Sequence, residues 1–98
     1  MVFKLYRVTG DSLYPTLKDK ELLFCKKVKP SSTLHLSDIV VFSKEPHGRM
    51  IKQITKIENN KYYVEGAVPA SVDSSVFGYL DKSDITYRVL FRFWSLYK

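Results

Sequence analysis

Lys52 and Ser12 are the two residues of this chain whose types and surroundings could support catalysis. Lys52 falls in an apolar stretch with the composition of a β-strand. Period-2 alternation places Met50, Lys52 and Ile54 on one face, so the ammonium has apolar neighbours. Desolvation of the charged form lowers the pKa of a lysine, and a neutral lysine is a base. Ser12, in a Gly-Asp-Ser turn, is a nucleophile that such a base could activate.

Length and composition predict one folded domain that covers residues 1–98. Hydrophobic residues make up 45% of the chain and charged residues 27%, which argues against a disordered protein. No apolar run is long enough to span a bilayer, and Lys4 and Arg7 interrupt any signal-peptide pattern. The single cysteine, Cys25, excludes an internal disulfide and a cysteine-rich metal site. We therefore expect a soluble, cytoplasmic protein without a metal or cofactor.

The net charge of +6 leaves two interpretations open. It could mark a nucleic-acid or anionic-membrane partner. The basic residues are spread along the chain, however, and their densest groups, at 26–29 and 52–56, are short. This distribution favours a solvated basic surface over a dedicated polyanion site.

The pattern of apolar segments predicts a mainly β protein with a small barrel-like fold. These segments recur about every ten residues, with turn signals between them. Residues 45–48 and 59–60 are predicted to close hairpins, and 66–78 to form a loop. No segment has a long helical period. The predicted strands cover residues 2–8, 21–28, 38–43, 49–57, 61–65 and 86–94.

Four segments, taken in order, resemble motifs of bacterial type I signal peptidases and their LexA-like relatives. Residues 8–17, Val-Thr-Gly-Asp-Ser-Leu-Tyr-Pro-Thr-Leu, are similar to the box that holds the nucleophilic serine. Residues 37–42, Ser-Asp-Ile-Val-Val-Phe, resemble a Gly-Asp-Ile-Val-Val-Phe strand, and residues 50–54 resemble the Ile-Lys-Arg-Ile/Val segment that holds a lysine base. Residues 71–78 resemble a Ser-x-Asp-Ser-Arg-x-Phe/Trp-Gly segment. Each motif alone is weak, but four in register are a strong signal.

The resemblance implies a serine endopeptidase with a Ser/Lys dyad on coiled antiparallel β-sheets. Ser12 matches the nucleophile and Lys52 the general base, and the Ser12 backbone N–H matches an oxyanion donor. Ser71 matches a serine that orients the lysine, and Asp73 matches a structural carboxylate. Among relatives, the type that fits best is the small soluble protease that matures nickel superoxide dismutase. A membrane-spanning signal peptidase or a self-cleaving repressor fits less well, because few residues precede Ser12.

The same resemblance implies a protein or peptide substrate that adds as an extended strand between residues 7–9 and 49–50. Substrates of the family carry small residues such as alanine before the cut. We expect a monomer or weak dimer. The residues predicted to bind substrate are Val8, Thr9, Gly10, Leu13 and Met50.

Several positions depart from the family pattern. Ala67 and Val68 stand where Gly-Asp-Asn is frequent, and Ser75 replaces the arginine that would pair with the Asp73 carboxylate. Leu13 replaces a common methionine, and Gly10 supplies no hydroxyl as a second oxyanion donor. These departures leave Ser12 and Lys52 intact, but the carboxylate needs another partner.

Structural explanations compete with the catalytic one. Ser12 could be an ordinary turn residue, and Lys52 could extend its ammonium from a half-exposed strand into water. Ser71 and Asp73 could cap a loop. His35 and His47 suggest a Ser/His/Asp triad, but both are predicted to lie in turns or loops. Cys25 is predicted to be a core thiol.

Two other functions remain open at this stage. A basic β-barrel with seven tyrosines and six phenylalanines would suit single-stranded nucleic acid, with residues 62–63 and 91–94 as stacking candidates. The alternative for these aromatics is a strand-rich core. A catalytically idle relative could instead use the aromatic and basic segment 87–98 against a membrane surface or a partner, although its alternation also fits a final strand.

Overall fold

Seven β-strands make up most of the structure, a computed structural model that describes residues 2–7, 21–46, 48–66 and 73–93. The mainly β prediction is confirmed, and the six predicted strands correspond to six of the seven observed. The short strand β6 and the single-turn helix α1 were not predicted. The elements are β1 (Phe3–Arg7), β2 (Leu22–Lys27), β3 (Ile39–Lys44), β4 (Gly48–Glu58), β5 (Lys61–Glu65), α1 (Ser74–Phe77), β6 (Leu80–Asp81), a 3₁₀ turn (Lys82–Asp84) and β7 (Ile85–Phe93).

The strands form one antiparallel sheet in the order β1-β2-β7-β3-β4-β5-β6. β7 comes last along the chain but lies near the middle of the sheet, between β2 and β3. Within the described ranges no pairing joins β1 to β6, so these strands form an open sheet instead of a closed barrel.

Apolar side chains cover both faces of the sheet at β3, and this strand contributes to two separate cores. Val40 and Phe42 point into the larger core, while Val41 points into the smaller one on the opposite face. The larger core continues through β4, β5 and β6 and is covered by Leu34 from a loop and Phe77 from α1. A near-continuous apolar run such as that of β3 is the pattern expected for a strand buried on both sides.

The sheet curls around the smaller core, so that β1 approaches β4. Tyr6 of β1 packs into this core with Ile51 of β4. Its ring also meets Tyr87 edge to face at 5.7 Å and lies 5.0 Å from the Arg49 guanidinium carbon. β1 and β4 are four positions apart in the sheet order, and the curl brings them into contact across one face.

Both predicted hairpins are confirmed. Lys44 pairs with Gly48 across the first turn, in which His47 lies outside the described residues. Glu58 pairs with Lys61 across the second, and Asn59 and Asn60 between them have φ angles of 49° and 62°. Two residues at positive φ form the turn type whose twist matches a hairpin, and asparagine tolerates that conformation. Of the predicted loop 66–78, residues 67–72 are not described, and the rest contains α1.

Replacement of Asn60 tests this turn. Asn60→Val should lower the free energy of unfolding by about 1–2 kcal/mol, because a residue with a branched Cβ is strained at positive φ. Asn60→Gly is the matched control and should leave stability within about 0.5 kcal/mol of the parent or raise it, since glycine adopts this φ freely. Urea denaturation of the three proteins measures the difference. Equal stability of the valine and glycine variants would contradict the assigned turn.

Candidate active site

Lys52 lies in the interior of β4 with only 4% of its surface exposed. It pairs with Val40 of β3, so its side chain emerges on the face of the larger core. Met50 and Ile54, two residues away on either side, belong to the same core, as the alternation predicts. The interpretation of Lys52 as a lysine that extends into water does not fit this burial.

Burial lowers the pKa of Lys52 below its ordinary value of 10.5, and the negative charge of Asp73 opposes part of that shift. No hydrogen bond or ion pair joins Lys52 Nζ to another residue among those described. The desolvation of the ammonium favours the neutral amine more than in an exposed lysine. A buried amine of this kind is suited to accept a proton from a nearby hydroxyl.

The Asp73 carboxylate caps α1 and holds the end of β5. Its Oδ1 accepts hydrogen bonds from the Ser75 backbone N–H at 3.0 Å and the Ser75 hydroxyl at 2.6 Å. The backbone N–H of Gly66, which follows β5, also donates to the carboxylate. Burial acts to raise the pKa of Asp73, but the hydrogen bonds from Ser75 and Gly66, together with the charge of Lys52, outweigh it and lower that pKa. Asp73 is thus held as an anion.

Ser75 supplies the partner that Asp73 needs in place of the family arginine. The sequence identified the missing arginine but not its substitute. The signal that could have found it is the Asp-Ser-Ser order itself, because an aspartate followed by small hydroxyl residues is typical of a helix N-terminus. Asp73 does have the extended backbone of an N-cap, with φ −151° and ψ −163°.

Ser74, which the sequence did not identify, connects α1 to β5. Its side chain is buried, and its Oγ accepts the backbone N–H of Val64 at 2.9 Å. Phe77 at the other end of α1 meets the Phe42 ring edge to face at 5.8 Å. The helical turn is therefore attached to β5 through Ser74 and to the larger core through Phe77.

The first half of β4 has an edge that the described residues leave without a strand partner. β3 pairs with β4 from Gly48 to Gln53, whereas the β5 ladder begins only at Gln53. On the side of β5, residues 48–52 therefore have no partner strand in the described part of the chain. Met50, a predicted substrate-binding residue, lies on this segment, partly buried against the larger core. Extended backbone at such an edge can pair with an added strand.

The family described as peptidase S24-like matches residues 3–73, more than two thirds of the chain. The chain belongs to this peptidase S24-like family. The match covers the segments of Ser12, Lys52, Ser71 and Asp73, and it confirms the LexA-like resemblance at the level of the family. No curated protein was found to match the chain. The closer similarity to proteases that mature nickel superoxide dismutase stays a prediction.

Several predicted residues of this S24-like chain lie outside the described ranges, and the structure says nothing of their positions. They are Ser12, Ser71, Val8, Thr9, Gly10, Leu13, Ala67, Val68, His47 and Trp94. Among the sites predicted for catalysis and its support, the structure places Lys52, Asp73 and Met50, and it brings the first two within electrostatic influence of each other.

The described competitors for catalysis have structural surroundings. His35 is an exposed side chain whose Nδ1 lies 3.9 Å from Asp38. Cys25 is fully buried, and burial raises the pKa of its thiol to about 11, which keeps it protonated and unreactive.

Two of the tyrosines predicted as stacking candidates for nucleic acid also pack within the protein. Tyr62 is a core residue, and Tyr63 packs edge to face on Tyr79 at 5.1 Å. The strand-rich core therefore accounts for Tyr62.

The described residues contain neither a metal-type cluster nor a membrane-spanning helix. No three histidine, cysteine, aspartate or glutamate side chains among them are grouped as a metal site. No helix in the same ranges is long and apolar enough to cross a membrane.

The S24-like chain should become more stable when Lys52 loses its charge. Lys52→Met should raise the free energy of unfolding near neutral pH by on the order of 1 kcal/mol, because the fold no longer desolvates an ammonium. Since the pKa of Lys52 is lowered in the folded state, the unfolded chain binds more protons between that pKa and 10.5. The advantage of the variant should therefore shrink as pH rises through that window.

Urea denaturation at neutral and alkaline pH measures this difference. Lys56→Met, an exposed lysine on the same strand, is the matched control and should show a smaller change without the same pH trend. A Lys52→Met protein that is less stable than the parent near neutral pH would contradict an uncompensated buried ammonium.

Asp73 should stabilise the fold in a pH-dependent way. Asp73→Asn retains an oxygen for the Ser75 N–H but loses the charge, and we expect a loss of about 0.5–2 kcal/mol near neutral pH. The folded-state pKa is lowered, so this stabilisation is fully present above 3.8 and disappears as pH falls through the folded value. Denaturation of parent and variant across acid pH measures it, with exposed Glu45→Gln as the control. A gap that stayed constant into strong acid would contradict the assignment.

Proposed function

We propose that this chain is a serine endopeptidase in which Ser12 is the nucleophile and Lys52 the general base. The observation that carries the proposal is the buried Lys52, with its lowered pKa, on a strand covered by the peptidase S24-like match. A lysine that is charged in water makes a poor base, and desolvation is one physical route to activating it. Burial at such cost within a peptidase family favours a chemical role over a packing role.

In the proposed reaction, neutral Lys52 takes the proton from Ser12 Oγ as the oxygen attacks the scissile carbonyl carbon. The backbone N–H of Ser12 donates to the oxyanion that forms. The C–N bond then breaks, and the lysine ammonium returns its proton to the leaving amine. Water, activated by the same amine, hydrolyses the acyl-enzyme and releases Ser12. Protons and charge balance over the cycle without a metal or cofactor.

Ser71 is proposed to orient Lys52, and Asp73 to hold the segment that carries Ser71. The hydrogen bond between Gly66 and Asp73 joins the two residues that flank segment 67–72. Ser71 precedes Asp73 by two residues, so covalent geometry limits the separation of their Cα atoms to about 7 Å. Asp73 itself acts electrostatically on Lys52. This anchoring supports a position for Ser71 in the neighbourhood of the lysine.

The substrate is proposed to add as an extended strand beside the first half of β4. The contact of Tyr6 with Arg49 at 5.0 Å supports this, because it puts the end of β1 close to the start of β4. Residues 8–10 follow β1 in the sequence, and Val8, Thr9, Gly10, Leu13 and Met50 are the proposed contacts. Small residues such as alanine are expected next to the cut, as in the family that the chain resembles.

Loss of either dyad residue should abolish cleavage. Incubation with a mixed peptide library and mass spectrometry would identify the products. Ser12→Ala and Lys52→Met should each lower the rate by at least about 100-fold. Exposed Ser43→Ala and Lys56→Met are the matched controls and should cleave at the parental rate. Lys52→Met is expected to remain folded, so its inactivity would not reflect unfolding. Full activity of the Ser12→Ala protein would eliminate the proposal.

The pH profile of the same reaction gives an independent check. The active form contains neutral Lys52, so the rate should rise with pH through the lowered pKa of that residue. Activity that peaks in acid and falls through neutral pH would rule out the dyad. The nucleic-acid alternative makes a different prediction, namely binding to single strands that weakens steeply with salt and survives Ser12→Ala.

A further inference from the structure

An exposed apolar surface lies on the outer side of β1, β2 and β7, away from the smaller core. Strand register places Leu5, Phe24 and Phe91 in one row across the three strands, because directly paired residues point to the same side. Phe3 lies next to Leu5 along β1, and Leu22 lies next to Phe24 along β2, each two residues away and on the same side. We call this surface the aromatic face; it consists of Phe3, Leu5, Leu22, Phe24 and Phe91.

The apolar side chains of the aromatic face are unusually exposed to solvent. Phe3 is 40% exposed, Leu5 56% and Phe91 62%, and they lie on β1 and β7, the two strands that flank β2. Isolated exposed apolar residues are ordinary, but a contiguous group points to an interaction surface.

Positive charge surrounds the aromatic face. β1, β2 and β7 together contain six lysines and arginines and no aspartate or glutamate. Three of these cations lie on the outer side: Lys26 opposite both Phe3 and Arg88, and Arg7 opposite Leu22. Among the described residues, no ion pair neutralises Arg7, Lys26 or Arg88. An occupant of this surface must therefore accept apolar side chains at its centre and cations at its rim.

This charge disfavours a second copy of the chain, since face-to-face contact would bring two sets of like charges together. Nucleic acid satisfies the charge, but the aliphatic Leu5 and Leu22 offer a base no ring on which to stack. Phe3 and Phe24 stack with centroids 5.2 Å apart and planes 10° from parallel, and Phe24 and Phe91 stack at 6.1 Å and 26°. Phe24 therefore lies between two rings, and only Phe3 and Phe91 keep a free ring face on which a base could stack.

We propose that the aromatic face docks on an anionic lipid surface. Leu5, Phe3 and Phe91 enter the boundary between headgroups and acyl chains, where apolar side chains leave water. Lys26, Arg7 and Arg88 lie against anionic headgroups, which attract basic residues near the membrane surface. The protein lies on the bilayer in this arrangement and does not span it. Lys26 pairs with Arg88, Arg88 with Val40 and Val40 with Lys52, so the aromatic face lies on the same side of the sheet as Lys52 but on different strands.

Sedimentation with lipid vesicles tests the proposal on the full chain. Binding to vesicles of phosphatidylcholine with phosphatidylglycerol should exceed binding to phosphatidylcholine alone by at least about tenfold, since each cation near the surface contributes roughly fivefold. Leu5→Ser and Phe91→Ser should each weaken binding by about tenfold. Lys26→Gln should weaken it by about fivefold and reduce its dependence on salt.

Matched controls lie elsewhere on the molecule. Leu36→Ser and Val76→Ser remove side chains that are 59% and 61% exposed away from the aromatic face, and both should bind like the parent. Lys56→Gln is the corresponding charge control, and thermal unfolding checks that each variant is folded. Ser12→Ala should bind vesicles normally, which separates this proposal from the peptidase.

Several results would overturn the proposal. One is absence of binding to anionic vesicles, or equal binding to neutral ones; another is an equal loss in the control variants. A dimer detected by analytical ultracentrifugation and dissociated by Leu5→Ser would assign the face to a second copy. Oligothymidylate binding that is lost in Phe91→Ser would assign it to nucleic acid.

Discussion

The burial of Lys52 is the constraint on which the rest of the site depends. An ammonium on the core side of an interior strand loses hydration, and the surrounding packing must supply enough free energy to keep it there. Phe42, Val40 and Ile54 on the same face provide that packing, and the β3–β4 ladder fixes the register that directs the lysine inward. A shift of one residue in this register would place Lys52 on the opposite side of the sheet.

Around Asp73, small hydrogen-bond donors take the place of a charged partner. An arginine beside Asp73 would bring a second fixed cation near Lys52. Ser75 instead neutralises no charge and satisfies the carboxylate by hydrogen bonds alone. The negative charge of Asp73 is therefore directed in part toward Lys52, which it stabilises in the protonated form against the effect of burial. The net shift remains downward, so desolvation outweighs the carboxylate.

Local sequence pattern was sufficient for the strands and hairpins. Period-2 alternation found β4 and the face of Lys52, and the Asn59-Asn60 pair found a turn whose positive φ angles suit asparagine. Contacts that join distant segments were not encoded in any local pattern. Three features depend on tertiary packing: the central position of β7, the contact of Tyr6 with Arg49, and the hydrogen bond from the Val64 N–H to Ser74 Oγ. The two-residue strand β6 is too short to give a periodic signal.

The central place of β7 has a consequence for the nascent chain. β1 and β2 form one antiparallel unit, and β3, β4 and β5 form another, and among the described strands only β7 hydrogen-bonds to both units. The proposed nucleophile belongs to the segment between β1 and β2, while the proposed base belongs to β4. The strand that links the two units, β7, is therefore the last of the described strands to be synthesised. In the proposed peptidase, the dyad is complete only after this strand has been synthesised.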